Sequence, residues 1–225
     1  MIIALSLFLE LAEANASFVA PETLVAFAQY ESHRNPNTIH DNTTGLSYYP
    51  QTASAAVAVA ESLLAQGHNL DLGIMQVNDA NLAGTGLTVG TAFDPGRSIR
   101  AGAIILTAAY QRCLHGNPSP NPIEQQAALR CAASVYNTGR ELAGTLKGYQ
   151  AAVWRAAAQI VPAIRFAGDN HPIQPPSIPA DDVVAPRPHL PPPALEDALH
   201  LAQPVPNDGD GLSDALHPST RKESP

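Results

Sequence analysis

From Gly168 to Pro225 the chain holds 13 of its 21 prolines and has no Phe, Trp or Tyr. Sequence of that kind cannot bury enough apolar surface to offset the entropy of ordering it, and it favours extended polyproline conformations. A folded core therefore has to come from residues 1–167, and residues 168–225 read as a disordered tail. The charge follows the same division. Nine acids and three bases lie in the tail, against 11 acids and nine bases before it, so most of the net charge of -8 sits outside the expected core.

The front part is Ala-rich and poor in aromatics, with Pro-free runs such as Ala53 to Gln66 and Ala101 to Tyr110. These features favour helix over strand and predict a mainly α domain. Pro21 followed by Glu22 starts a helix that carries Glu31 near its far end, and Asn35-Pro36 closes it. Thr52 or Ser54 caps a second helix running to Gln66, with Gly67 as its stop and Leu63 and Leu64 among its buried residues. Further helices are expected over Asp79 to Ala83, Ser98 to His115, Pro122 to Tyr136 and Tyr149 to Phe166, while His40 to Gly45 reads as a polar loop.

Residues 1–16 fit two readings. Leu5, Phe8, Leu9 and Ala12 recur at helical spacing, with Glu10 and Glu13 on another face, as in a first helix. The apolar run Ile2 to Leu9 and the small residues Ala14-Asn15-Ala16 also suit an export signal, although the positive leading region is missing. The segment is too short and too interrupted to span a bilayer. Cys113 and Cys131 flank a Pro-rich loop that lets the chain double back and join them as a disulfide in an oxidising compartment; two small buried hydrophobes is the other reading.

Several function classes find no support. The front part has no Lys/Arg cluster for nucleic acid or an anionic membrane. The His residues show no paired-ligand spacing and the thiols no CxxC, so neither a metal nor a cofactor is expected. There is no phosphate-binding loop and no nucleophile elbow.

Of the 11 carboxylates before residue 168, Glu31 stands apart because it follows the apolar run Leu24-Val25-Ala26-Phe27-Ala28. A carboxyl set against hydrophobic material holds its proton more tightly and can serve as a general acid. Asp41, Asp71, Asp79 and Asp94 are candidates for a second carboxylate, and each also suits a turn or cap. Glu61-Ser62 repeats the Glu31-Ser32 dipeptide inside the Ala-rich helix and reads as surface.

Glu31-Ser32 followed by Asn35-Pro36, then Gly73-Ile74-Met75-Gln76, then Tyr136-Asn137-Thr138-Gly139 occur in one order. Together they resemble the signature segments of the soluble lytic transglycosylases, related in fold to goose-type lysozyme, over Val19 to Ile164. Through His40-Asp41-Asn42-Thr43-Thr44-Gly45, Asp71 to Asn78 and Phe93-Asp94-Pro95 the chain is more closely similar to VirB-type lytic transglycosylases of type IV secretion systems. The resemblance implies a lysozyme-like helical domain with a cleft. It also implies cleavage of the peptidoglycan β-1,4 bond between N-acetylmuramic acid and N-acetylglucosamine, leaving a 1,6-anhydro product and opening the wall locally, in the periplasm.

By the same resemblance Glu31 is the catalytic acid and base. Gln76 hydrogen-bonds the glycan, Met75 lines the cleft, Tyr136 holds Glu31 or the substrate's N-acetyl group, and Asn137 supports the site. His40 stands where many members carry a Ser that positions the N-acetyl group. Gly96 and the segment Asn15 to Ser17 lack the cysteines that close relatives often have there. Two other readings stay open: a hydrolytic muramidase, and a non-catalytic wall-binding assembly factor whose tail recruits secretion components.

Overall fold

The computed structural model describes residues 1–141 together with Val153 and Arg155. The tail expected over 168–225 and most of the helix expected over Tyr149 to Phe166 lie outside the described residues; Val153 and Arg155 are both helical.

Six α-helices and four short strands make up the described part: α1 (Leu5–Ala16), α2 (Pro21–Ser32), β1 (Ile39–Asp41), β2 (Leu46–Tyr48), α3 (Ala53–Ala65), β3 (Leu70–Leu72), β4 (Val77–Asn78), α4 (Leu82–Thr85), α5 (Pro95–Cys113) and α6 (Pro122–Thr138). The helices begin where local chemistry allows. Thr52 accepts the Ala55 N–H to cap α3, Asp94 accepts the Arg97 N–H to cap α5, and Asn121 and Glu124 form a reciprocal capping box on α6. Pro95 suits the first turn, so α5 starts three residues before Ser98. The segment expected as one helix over Asp79 to Ala83 is instead a short 3-10 turn, Asp79–Asn81, running into α4.

The core gathers where α5 crosses the other helices. It is lined by Ile99, Ala101, Ala103, Ile105 and Leu106 of α5, Ala128 and Ala132 of α6, and Phe8, Ala12 and Ala16 of α1. Small side chains let α5 and α6 approach closely, and the Cys113–Cys131 disulfide, with Cα atoms 5.9 Å apart, ties the end of α5 to the middle of α6. Residues 1–16 supply a core helix, since Phe8, Ala12 and Ala16 are buried at helical spacing. Asn15, at the end of α1, lies against Gly96: a Cβ on that glycine would sit 2.9 Å from the Asn15 amide nitrogen. The two positions lacking the expected cysteines are thus neighbours, joined by packing in place of a bond. On α3 the buried face is Ala56 and Ala60; Leu63 and Leu64, expected inside, are only half-buried.

The sheet is the feature that the helical reading missed. Its order is β2-β1-β3-β4, all antiparallel. The segment read as a polar loop from His40 begins instead with strand β1, all three residues of which are buried. Its partner β3 lies about thirty positions further on, and His40 and Asp41 carry polar side chains into the interior. A polar strand paired at long range leaves no periodic apolar signal in its own sequence.

Candidate active site

Glu31 occupies the last turn of α2 and is buried, with 6% of its surface exposed. Leu24, Val25, Phe27 and Ala28 bury the helix, and His33 and Arg34 end it with positive φ of 53° and 62°. The neighbouring Ser32 fixes this helix end to the second motif: its hydroxyl donates to the Ile74 carbonyl at 2.7 Å, with the Ala28 carbonyl at 3.1 Å.

That second motif is a tight corner between β3 and β4. Gly73 adopts φ +77°, and a Cβ there would lie 2.2 Å from the Ala92 carbonyl oxygen, so only glycine fits. Gln76 is also left-handed, with φ +48°, an uncommon state for a side-chain-bearing residue that must be held by its surroundings. What holds it is its own amide, whose nitrogen donates to the carbonyls of Gly73 at 2.7 Å and Thr38 at 3.1 Å. Both amide hydrogens are thereby committed to the corner, and the side-chain oxygen remains as its acceptor.

Met75 is fully buried, with its side chain against Gly102 of α5. Its carbonyl accepts the Tyr136 hydroxyl at 2.7 Å, and the Tyr136 ring packs edge-on against Phe27 at 5.2 Å. Tyr136 therefore clamps the third motif to the first two. Burial pushes its hydroxyl well above the ordinary tyrosine range, and the charges of Glu31 and Asp71 add to the shift. Next in α6, Asn137 is buried, and its side-chain amide nitrogen has no hydrogen-bond partner among the described residues. A buried donor of this kind costs stability unless something outside the chain satisfies it.

His40 is buried on β1, its Nδ1 2.9 Å from the Ser47 hydroxyl. The register aligns Ser47, His40, Asp71 and Asn78 in one row across the four strands, on one face of the sheet. Half-buried Tyr30, beside Glu31 in sequence, is raised by burial and by the Glu31 charge, and is lowered by Arg155.

The other carboxylates separate by what they hold. Asp94 caps α5. Asp79 accepts the Leu70 N–H at 2.8 Å. Asp41 takes the Thr43 N–H at 2.9 Å and His68 Nδ1 at 2.7 Å, and its hydrogen bonds hold it below the ordinary carboxylate range although burial acts the other way. Glu61 is exposed on α3. Asp71, with no exposed surface like Asp41, takes the side-chain amides of Asn42 and Asn78 at 2.7 Å on its two oxygens. Sequence reasoning weighed it as a candidate second carboxylate that also suits a turn or cap; the structure places it in strand β3, an acid between two leucines.

Three segments spread along more than a hundred residues thus meet at this corner, and the family model for the transglycosylase SLT domain matches the chain over residues 8–156. The chain belongs to the SLT transglycosylase domain family. This SLT domain is 40% identical over 147 residues to "Protein virB1" of Agrobacterium fabrum, covering 65% of the chain and 58% of that relative. It is 39% identical over 137 residues to "Type IV secretion system protein virB1" of Brucella abortus, covering 61% of the chain and 56% of the relative. The match spans less than two thirds of either relative's length. No solved structure matches the chain. No helix among the described residues is long and apolar enough to cross a membrane.

Proposed function

We propose that the chain cleaves peptidoglycan as a lytic transglycosylase, with Glu31 as its single proton-transferring group, and that it acts in the periplasm on wall glycan during type IV secretion or conjugation. The observation that carries this reading is a buried carboxyl at the end of α2, pinned through Ser32 to the Gly73–Gln76 corner while Tyr136 holds the same corner from α6. Family membership supports the reaction class, and the Brucella relative's name supports the secretion setting.

In this mechanism the Glu31 carboxyl donates its proton to the glycosidic oxygen as the bond from that oxygen to C1 of the muramic acid breaks. The N-acetyl oxygen of the same sugar stabilises the positive centre at C1, so one protein acid suffices. The Glu31 carboxylate then takes the proton of the C6 hydroxyl, whose oxygen bonds to C1 and closes the anhydro ring. Both reacting groups belong to one sugar, and their proximity favours ring closure over attack by water. The Asn137 amide nitrogen and the Gln76 side-chain oxygen are the groups assigned to the glycan, with His40 bordering it through the Ser47 hydrogen bond. Met75 and Tyr136 serve by shaping the corner. The Pro-rich segment 168–225 is assigned to secretion-system partners.

Glu31→Gln is expected to lower release of soluble glycan from purified sacculi on the order of a hundredfold or more while leaving the far-ultraviolet dichroism unchanged. Mass spectrometry of the wild-type digest is expected to show muropeptides lighter by one water than hydrolytic products. Undiminished lysis by the variant rejects the role of Glu31, and reducing-end products reject the transglycosylase reading in favour of a muramidase.

A further inference from the structure

We propose that Gly102 and Ser98 of α5 are positioning residues of this site: they form a seat that fixes the main chain of Met75, and through it the placement of Tyr136 and of the helix end that bears Glu31. The inference rests on the reading of Glu31 above and adds α5 to it.

Three helices grip the corner by neighbouring main-chain groups of Ile74 and Met75. From α2 the Ser32 hydroxyl donates to the Ile74 carbonyl at 2.7 Å, and from α6 the Tyr136 hydroxyl donates to the Met75 carbonyl at 2.7 Å. From α5 the Ser98 hydroxyl oxygen accepts the Met75 N–H at 3.4 Å, and Ser98 has no exposed surface. Gly102 lies one turn further along α5, on the same face. A Cβ at Gly102 would stand 2.8 Å from Met75 Cβ, 2.8 Å from its Cε and 2.9 Å from its Cγ. Glycine inside a helix weakens it relative to alanine, because more backbone freedom is lost on folding. Its place in α5 therefore needs a local reason, and the Met75 side chain lying across it supplies one.

Gly102 differs from an ordinary packing position in which atom it meets. Contact with Cε alone would be relieved by swinging the end of a flexible methionine, but Cβ is fixed to the backbone. A methyl at position 102 therefore has to displace the main chain of residue 75. That displacement passes directly to the Tyr136 bond, and through the Ile74 carbonyl to Ser32 and the adjoining Glu31. The helix α5 is the element that yields least, being the longest described and buried along its length by Ile99, Ala101, Ala103, Ile105 and Leu106. Groups held slightly off their reacting geometry slow the chemical step while leaving the substrate bound, so the effect of disturbing the seat falls on kcat and not on KM.

The test measures kcat and KM for cleavage of solubilised peptidoglycan strands by the full-length chain, with folding read by dichroism and urea unfolding. Wild type is compared with Gly102→Ala, Ser98→Ala and the double variant Cys113→Ser, Cys131→Ser, with Glu31→Gln in parallel. Gly102→Ala is expected to lower kcat about tenfold and Ser98→Ala about threefold, each in a folded chain with KM within about twofold of wild type. The cysteine variant loosens α5 away from the corner and is expected to keep its kcat. A merely structural role lowers activity only in step with the folded fraction; that result, a rise in KM alone, or an equal loss of kcat in the cysteine variant overturns the proposal. If Gly102→Ala fails to fold, Ser98→Ala decides: a lowered kcat upholds the seat and an unchanged one overturns it. Unchanged kcat in folded seat variants beside an inactive Glu31→Gln rejects the seat alone, whereas active Glu31→Gln rejects the reading of Glu31 itself and this proposal with it.

Discussion

The α5–α6 pair and the four-stranded sheet are held together by opposite means. Along α5 and α6 the buried residues include Ala101, Ala103, Ile105, Ala128 and Ala132, and the helices satisfy their own main-chain groups. In the sheet and its corner the buried side chains include His40, Asp41, Asp71, Gln76 and Asn78, and each needs a partner from another segment. Apolar packing is tolerant of small changes, whereas a buried polar group left without its partner loses the full cost of its desolvation. The site lies where the two regimes meet: Glu31 and Tyr136 project from helices, Tyr136 bonds the polar corner directly, and the helix end that carries Glu31 is tied to it through Ser32.

This contrast can be broken most forcefully at Gly73. Gly73→Ala forces a methyl onto the Ala92 carbonyl and strains a left-handed backbone, and is expected to cost about 5 kcal/mol in urea unfolding, together with lysis. A loss under about 1 kcal/mol would mean that the corner yields and is not the rigid element described.

The next largest effect is pH-dependent and belongs to Asp71. Its native pKa, about 7, stands above the ordinary 3.8, so the folded state binds the extra proton between those values. The contribution of Asp71 is therefore full below pH 4, and falls as pH rises toward 7 by no more than about 4 kcal/mol. Asp41, held below its ordinary value, acts in the opposite sense and loses its contribution only in more acidic solution. Melting temperatures from pH 4 to 8 should fall less steeply for Asp71→Asn than for wild type; parallel curves would remove Asp71 from the account.

On the helical side, replacing Cys113 and Cys131 with Ser is expected to cost about 3 kcal/mol, the loop-closure value for a bridge spanning 18 residues. Because the bridge lies at the far end of α5 from its Asp94 cap, lysis at low temperature should persist while the urea midpoint drops. Loss of lysis in a chain still folded by dichroism would show that the two regions are coupled more tightly than their packing implies.

Much of the helical framework was legible from local signals. Pro21, Thr52, Pro122 and Gly67 mark helix ends that the structure keeps to within a residue or two, and α5 begins at Pro95, three residues before the expected Ser98, with Asp94 in the cap role it was read as suiting. The sheet was not legible, because Ile39–Asp41 becomes a strand only against Leu70–Leu72. Among the candidate site residues, Glu31, His40, Met75, Gln76, Tyr136 and Asn137 all fall among the buried residues, but their tasks could not be read in advance. The structure shows the Met75 side chain buried and its carbonyl accepting the Tyr136 hydroxyl, and Gln76 donating its amide hydrogens to Gly73 and Thr38.

The sequence by itself determined most of the described helices, several of their ends, and the family to which the ordered motifs belong. These depend on neighbours a few residues apart, or on residue types in fixed order. Only the tertiary structure decided which groups lose their water and who satisfies them: that Tyr136 bonds Met75, that Ser32 bonds Ile74, and that Asp71 is sealed among amides and not set in a turn. Desolvation and hydrogen bonding across forty or sixty residues are properties of the folded chain, and no local pattern encodes them.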